Sequence, residues 1–198
     1  VTSSNSSSGY AATGSGVAPT IIGKGEIIGI IKAYLSRVGT GPLPTELEGE
    51  FADEIREKGG EYGTVTGRPR RVGWLDMPML RHASRVNGFT GIVINHIDVL
   101  SGLGPIKVGD KYILKNKKLS TMPPTTELWG ECEVEYKDFE GWPECDWSEI
   151  ADKGYDAMPD GVKTYVEYIA GEVDADIVAI GVGPGRSDTI MKRRPFNW

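Results

Sequence analysis

Two segments of this sequence, Gly91-Ile92-Val93-Ile94 and Asp176–Gly181, are apolar almost without interruption, and each runs straight into a polar or glycine-rich loop. A half-exposed strand alternates apolar with polar residues; a strand covered on both faces by helices need not. Pro159–Val173 supplies such a helix, with Val162, Tyr165, Val166 and Ile169 at i, i+3, i+4 and i+7. Strands alternating with helices predict an α/β fold with a mostly parallel sheet, whose ligand site lies at the carboxyl ends of its strands. With 198 residues, 39% of them hydrophobic, the chain can bury one core.

Other segments are read from their punctuation. Residues 1–20 carry mostly small side chains and read as a flexible tail or a small-residue loop around Gly14-Ser15-Gly16. Glu26–Arg37 has an apolar stripe of helical period, while its β-branched content makes a change from helix to strand near Lys32 plausible; it is expected in the core either way. After the break at Gly39–Pro44, a helix is expected from Pro44-Thr45 to about Gly59, with Leu47, Phe51 and Ile55 on one face. Glu61–Trp74 has no regular period and reads as a loop. Asp76 is expected to cap a helix with Leu80, Ala83 and Val86 inward. Residues 104–137 read as short antiparallel strands, notably Lys111–Lys115 and Glu131–Tyr136.

The charge balance narrows the partners. Twenty-two Lys and Arg against 28 Asp and Glu leave a net −6, which argues against a general duplex-binding or membrane-surface face and requires any anion site to be local. The longest apolar runs, Ile27–Ile31 and Ile177–Val182, are far shorter than the roughly 20 residues that span a bilayer, and no basic-then-apolar leader opens the chain. Cys132 and Cys145 fit neither a disulfide framework nor a metal spacing and read as cytosolic thiols.

The candidate chemistry sits in three loops. Arg68, Arg70 and Arg71 place three guanidinium groups beside Thr64, Thr66, Gly63 and Gly67, a composition suited to phosphates or carboxylates, or to a solvated basic loop. Pro69 stiffens the turn between them. Asp98, after Asn95 and His96 at a strand end, could accept two hydrogen bonds from a guanine edge, although Asp at a strand end is also a common turn or helix cap. His96 reads equally as a packed histidine, and with His82 it makes no metal pair. Gly181-Val182-Gly183-Pro184-Gly185 follows a strand without opening a helix, so it is no dinucleotide fingerprint; it lines a ligand or simply turns. The chain has no GxxxxGK[ST] phosphate loop and no Ser/His/Asp or Cys/His set. Trp74, Trp129, Trp142, Trp147 and Trp198 receive no functional role.

Taken together, Val1-Thr2-Ser3-Ser4-Asn5, Arg37–Pro42 with Pro44-Thr45-Glu46, Gly63–Arg71 with Gly73–Asp76, Asp98–Leu103, and Gly183-Pro184 with Arg186 stand in the order found in adenylosuccinate synthetases, and the sequence resembles that family along its whole length. The resemblance implies the C-terminal half of a single P-loop-NTPase-like α/β domain, residues 1–198, beginning mid-protein. It also implies GTP-dependent ligation of IMP and L-aspartate to adenylosuccinate in AMP biosynthesis, with Mg²⁺, a homodimer and a cytoplasmic setting. Aspartate would be bound by Thr64, Val65, Thr66, Gly67, Arg68, Pro69 and Arg70; IMP by Thr2, Val38 and Arg68; GTP by Arg70, His96, Ile97, Asp98, Gly181, Val182 and Gly183. Arg70 would support phosphoryl transfer. The catalytic aspartate and histidine, the phosphate loop and the Mg²⁺ ligands would lie upstream.

Four departures from the family pattern stand out. His96 replaces a usual Lys, Gly181 a usual Ser, Val65 a usual Thr, and Pro69 an arginine. Together with the absence of Gln, they hint at an archaeal or thermophilic branch. The alternatives are a non-catalytic nucleotide-binding module that keeps the fold, and a GTPase-type switch, which the missing phosphate loop disfavours.

Overall fold

The structure is a computed structural model, and it describes residues 5–194. In chain order, α1 (Ser8–Ser15) and α2 (Pro19–Ile22) precede β1 (Ile28–Lys32) and β2 (Tyr34–Arg37). Helix α3 (Gly49–Gly59), β3 (Arg71–Asp76), α4 (Met77–Asn87) and β4 (Gly91–Asn95) follow. Next come β5 (Ile106–Leu114), β6 (Lys117–Leu119), α5 (Thr126–Gly130), β7 (Glu133–Phe139) and α6 (Trp147–Lys153), and then α7 (Asp160–Val173), β8 (Asp176–Gly181) and β9 (Thr189–Met191).

Among the described residues the strands form two sheets. The first runs β1-β4-β8-β9, with β1, β4 and β8 parallel and β9 antiparallel, as the two uninterrupted apolar segments predict. Ile92, Ile94, Ile177 and Ile180 are buried in one core with Val162, Tyr165, Val166 and Ile169 of α7, and Val178 is buried outside it. In the second sheet, β5 carries β7 along one edge and β3, then β6, along the other; β2 completes it on β3. The expected antiparallel region of 104–137 is β5, β6 and β7, with β3 joining β5 in a short parallel step at Leu75–Asp76.

Four local expectations are corrected. The stripe in Glu26–Arg37 forms two strands in different sheets, because runs of Ile favour the pleated backbone over a helix. It is not all core: β1 is an edge strand and Ile30 is 72% exposed. Helix α3 starts at Gly49 and not at Pro44-Thr45, since 45–47 lies against β3 as a strand-like segment. There Trp74 N donates to Thr45 O at 3.0 Å and Leu47 N to Val72 O at 2.9 Å, and a Cβ on Gly73 would stand 2.7 Å from Thr45 O. Arg71–Asp76 is likewise a strand and not loop, made regular by β2 on one side and 45–47 on the other.

Helix α4 is capped as expected, with Asp76 Oδ1 accepting from Met79 N at 3.0 Å. Val86, however, is exposed, and the inward place goes to Ser84, whose hydroxyl donates to Val173 O. The N-terminal stretch is helical at α1 and α2 instead of a loop or tail, yet neither helix buries a residue. Ser8 fastens it, its amide and hydroxyl donating to Asn87 at 2.8 and 2.7 Å.

Candidate functional site

The loops after β4 and β8 leave the carboxyl ends of adjacent parallel strands and therefore meet. A cleft of about 560 Å³ opens between them, lined by the end of α3 at Glu57–Gly60, by Asn95, His96 and Asp98, and by Gly181, Gly183, Pro184 and Gly185. Ile97 N donates to Gly181 O at 3.3 Å and so ties the two loops. A larger depression of about 780 Å³ lies at the opposite end of β8 around Thr90, Asp176 and Arg193. It is open to solvent and its arginine is already paired with Glu26 and Asp176, so the smaller cleft is the better candidate.

Within the cleft Asp98 is half-buried. Burial pushes its carboxyl above the ordinary value, with Asp188 adding to the effect, against the backbone amides of Asp98 and Val99. A carboxylate kept from full solvation gains most from a ligand that brings two donors. His96 has a left-handed backbone, φ 64°, and its ring meets Tyr34 edge-on with centroids 5.8 Å apart. Burial, with the charge of Lys32 next, holds its imidazole below the ordinary 6.5. The side chains of Ile97 and Val182 are buried in the core, so these two residues can meet a ligand only through backbone. The Ile97 carbonyl is taken by Trp142 Nε1 at 3.2 Å.

The glycines at the cleft have steric reasons. A Cβ on Gly183 would stand 2.6 Å from Asp188 Oδ2, and one on Gly181 would collide with the side-chain amide of Asn95. Asp188 folds the loop back on itself, accepting from Gly185 N at 2.6 Å, while its own carbonyl accepts from Val182 N at 2.9 Å. Sequence reasoning missed Asp188, for which no local pattern exists.

The arginine block is a closed hairpin-like loop. Gly63 N donates to Arg68 O, Gly67 N to Gly63 O, and Arg70 N to Glu61 O at 2.8 Å, while Gly67 takes φ 63° at the turn. Thr64, Val65 and Thr66 are exposed at its tip, Val65 by 96%, and among the described residues their amides make no hydrogen bond. The three arginines have separate fates. Arg71 makes a two-point ion pair with Glu46 and donates to Gly39 O and Gly41 O, which makes it a structural clamp. Arg70 donates from Nη1 to Glu61 Oε2 at 3.1 Å, with its Nε enclosed and unpartnered among the described residues. Arg68 is exposed and, among the described residues, has no ion pair.

Other predicted positions fall around this loop. Arg37 pairs in register with Arg71, and Val38, the residue after the end of β2, is 72% exposed. Pro69 bridges Tyr62 at the loop's base. Thr2 and Trp198 lie outside the described residues. Between the loop and the cleft sits a group that sequence reading left without a role. The Glu61 carboxylate is 1% exposed and accepts from Lys32 Nζ at 2.5 Å, Tyr34 OH at 2.7 Å and Arg70.

Parallel strands whose terminal loops line a cleft, with a cationic loop beside it, define an α/β protein of the kind that binds its ligands at strand carboxyl ends. The family model for adenylosuccinate synthetase matches residues 1–190. Adenylosuccinate synthetases of the archaea Natronomonas pharaonis and Halobacterium salinarum are 58% and 59% identical, each over 99% of this chain and over 46% and 44% of their own lengths. The structure of a fully ligated adenylosuccinate synthetase from Plasmodium falciparum superimposes with a TM-score of 0.89 at 38% identity, covering 98% of this chain and 45% of that one. The chain belongs to the adenylosuccinate synthetase family. It spans about half the length of the relatives it matches.

Proposed function

We propose that this chain is the C-terminal portion of an adenylosuccinate synthetase domain. In the full-length protein that domain joins IMP and L-aspartate, with GTP phosphorylating the 6-oxygen of IMP and the aspartate amine then displacing phosphate. In this reading Asp98 accepts the N–H and exocyclic amine of guanine, and the Gly181–Gly183 loop closes over the base beside His96 and Ile97. Thr64–Arg70 receive the aspartate carboxylates, Val38 and Arg68 face IMP, and Thr2 is assigned to the same ligand by the family resemblance. Arg70 turns toward the GTP side, where it offsets charge developing on the transferred phosphoryl group. The catalytic histidine and aspartate lie upstream. Among the described residues no group of three or more His, Cys, Asp or Glu side chains converges to hold an ion, and Mg²⁺ belongs in this reading to the upstream half. The working unit is a homodimer of the cytosol.

The observation that carries the proposal is Arg68. In a chain of this family, Arg68 is the one guanidinium of the block without an ion pair among the described residues, and it stands on a loop with open amides, where a carboxylate can be gripped. The test is a phosphate-release assay of the full-length protein with aspartate, IMP and GTP. Arg68→Leu is expected to raise the aspartate KM by roughly 10- to 100-fold, the loss of one charge-assisted hydrogen bond. Turnover with aspartate KM and kcat both unchanged in Arg68→Leu sinks the residue assignment. No turnover in the parent returns the chain to a binding module without ligase chemistry.

A further inference from the structure

Glu61 occupies the one place where the three parts of the site meet. Helix α3 ends in a left-handed Gly60, Glu61 N donates to Arg56 O, and the arginine loop leaves from Glu61 and returns at Arg70, whose amide donates to Glu61 O. Arg56 Nε also holds Arg70 O at 2.9 Å. The backbone thus brings the Arg70 side chain back over Glu61. On the opposite side the chain crosses from the first sheet to the second at Ala33, flanked by Lys32 and Tyr34, and both of these aim at the same carboxylate. Tyr34 is fully buried, and its hydroxyl lies 3.4 Å from His96 Nδ1 as well as 2.7 Å from Glu61 Oε1.

The division of labour between the two oxygens is informative. Oε1 takes Lys32 and Tyr34, leaving Oε2 to Arg70. Lys32 by itself would neutralise a buried carboxylate, so holding Arg70 as well leaves the group with more positive than negative charge. That excess suits a site awaiting anions. Arg70 donates only from Nη1 among the described residues, so Nη2 stays available while the guanidinium plane is held. Burial pushes the Glu61 carboxyl up, but the hydrogen bonds from Lys32 and Tyr34 outweigh it and keep the acid ionised near neutral pH.

We propose that Glu61 is a positioning residue that sets the Arg70 guanidinium and, through the Tyr34 hydroxyl, the His96 ring, so that the phosphoryl-facing arginine and the base-reading loop are fixed from one buried carboxylate. The inference rests on the functional reading above. It adds a residue with no contact to any substrate, and it gives the Lys32-Ala33-Tyr34 crossing a part in the site.

The test uses the full-length protein. Glu61→Gln keeps the shape and loses the charge, and it is expected to lower kcat by about 10- to 100-fold, the effect of a catalytic group held out of place, with the IMP KM unchanged because Arg68 and Val38 do not touch Glu61. If Glu61 acts through Arg70, the Arg70→Ala/Glu61→Gln double variant is no slower than Arg70→Ala alone. Tyr34→Phe, the milder change should Glu61→Gln fold poorly, is expected to raise the GTP KM several-fold and leave kcat within about twofold. Additive losses at positions 61 and 70 in an active parent, or a Tyr34→Phe enzyme with an unaltered GTP KM, overturn this proposal and leave the functional reading intact. A parent without turnover overturns both.

Discussion

Three arginines within four residues have three different surroundings, and only long-range partners explain the difference. Arg71 meets Glu46 because the segment 45–47 lies along β3, and Arg70 meets Glu61 because the loop closes on its own base. Arg68 is exposed and has no ion pair among the described residues. His96 shows the same dependence. Its neutral form is favoured by burial and by Lys32, so its folded value lies below 6.5 and its contribution to stability is in place above 6.5 and lost as pH falls through the folded value. The urea midpoint is expected to decline between about pH 7 and pH 5, and His96→Asn, a residue that tolerates the left-handed backbone at φ 64°, is expected to flatten that decline. An unchanged slope in the variant would assign the decline to other groups.

At the level of elements, glycines mark where one piece of chain passes close to another. Helix α3 ends at the left-handed Gly60, and its last residue is Gly59 because a Cβ there would run into the Tyr34 hydroxyl, the same hydroxyl that serves Glu61. Gly59→Ala is expected to cost about 1–3 kcal/mol in chemical denaturation through overpacking. Gly171 in α7 has nothing within 4 Å of such a Cβ, so Gly171→Ala is expected to stabilise by about 0.5–1 kcal/mol. Equal effects at the two positions would show that backbone entropy, and not the Tyr34 contact, governs both. The strands that were clearest from sequence are β8, buried on both faces, and β4, whose Val93 is only half-buried. Arg71–Asp76 was obscured because its regularity comes from neighbours up to 40 residues away.

In the molecule as a whole, the two sheets are joined at Ala33, and both of its backbone groups are held by distant partners. Its amide donates to Asn95 O at 2.8 Å, and its carbonyl accepts from the fully buried Tyr165 hydroxyl of α7 at 2.5 Å. Tyr165→Phe leaves that carbonyl buried without a partner and is expected to lower unfolding free energy by about 1–3 kcal/mol, read from the denaturation midpoint at constant slope. A change within experimental scatter would mean that the joint is held by packing alone. Apolar period and turn chemistry are local, and they were enough for the parallel core strands, α7, the Asp76 cap, an antiparallel region over 104–137 and the ordered loops that carry the family resemblance. The partition of the arginines, the crossing at Ala33, the hub at Glu61 and the fold-back at Asp188 rest on pairs 3 to 132 residues apart. A side chain's own neighbours in sequence say nothing about which charge or hydroxyl will stand opposite it once the core has closed.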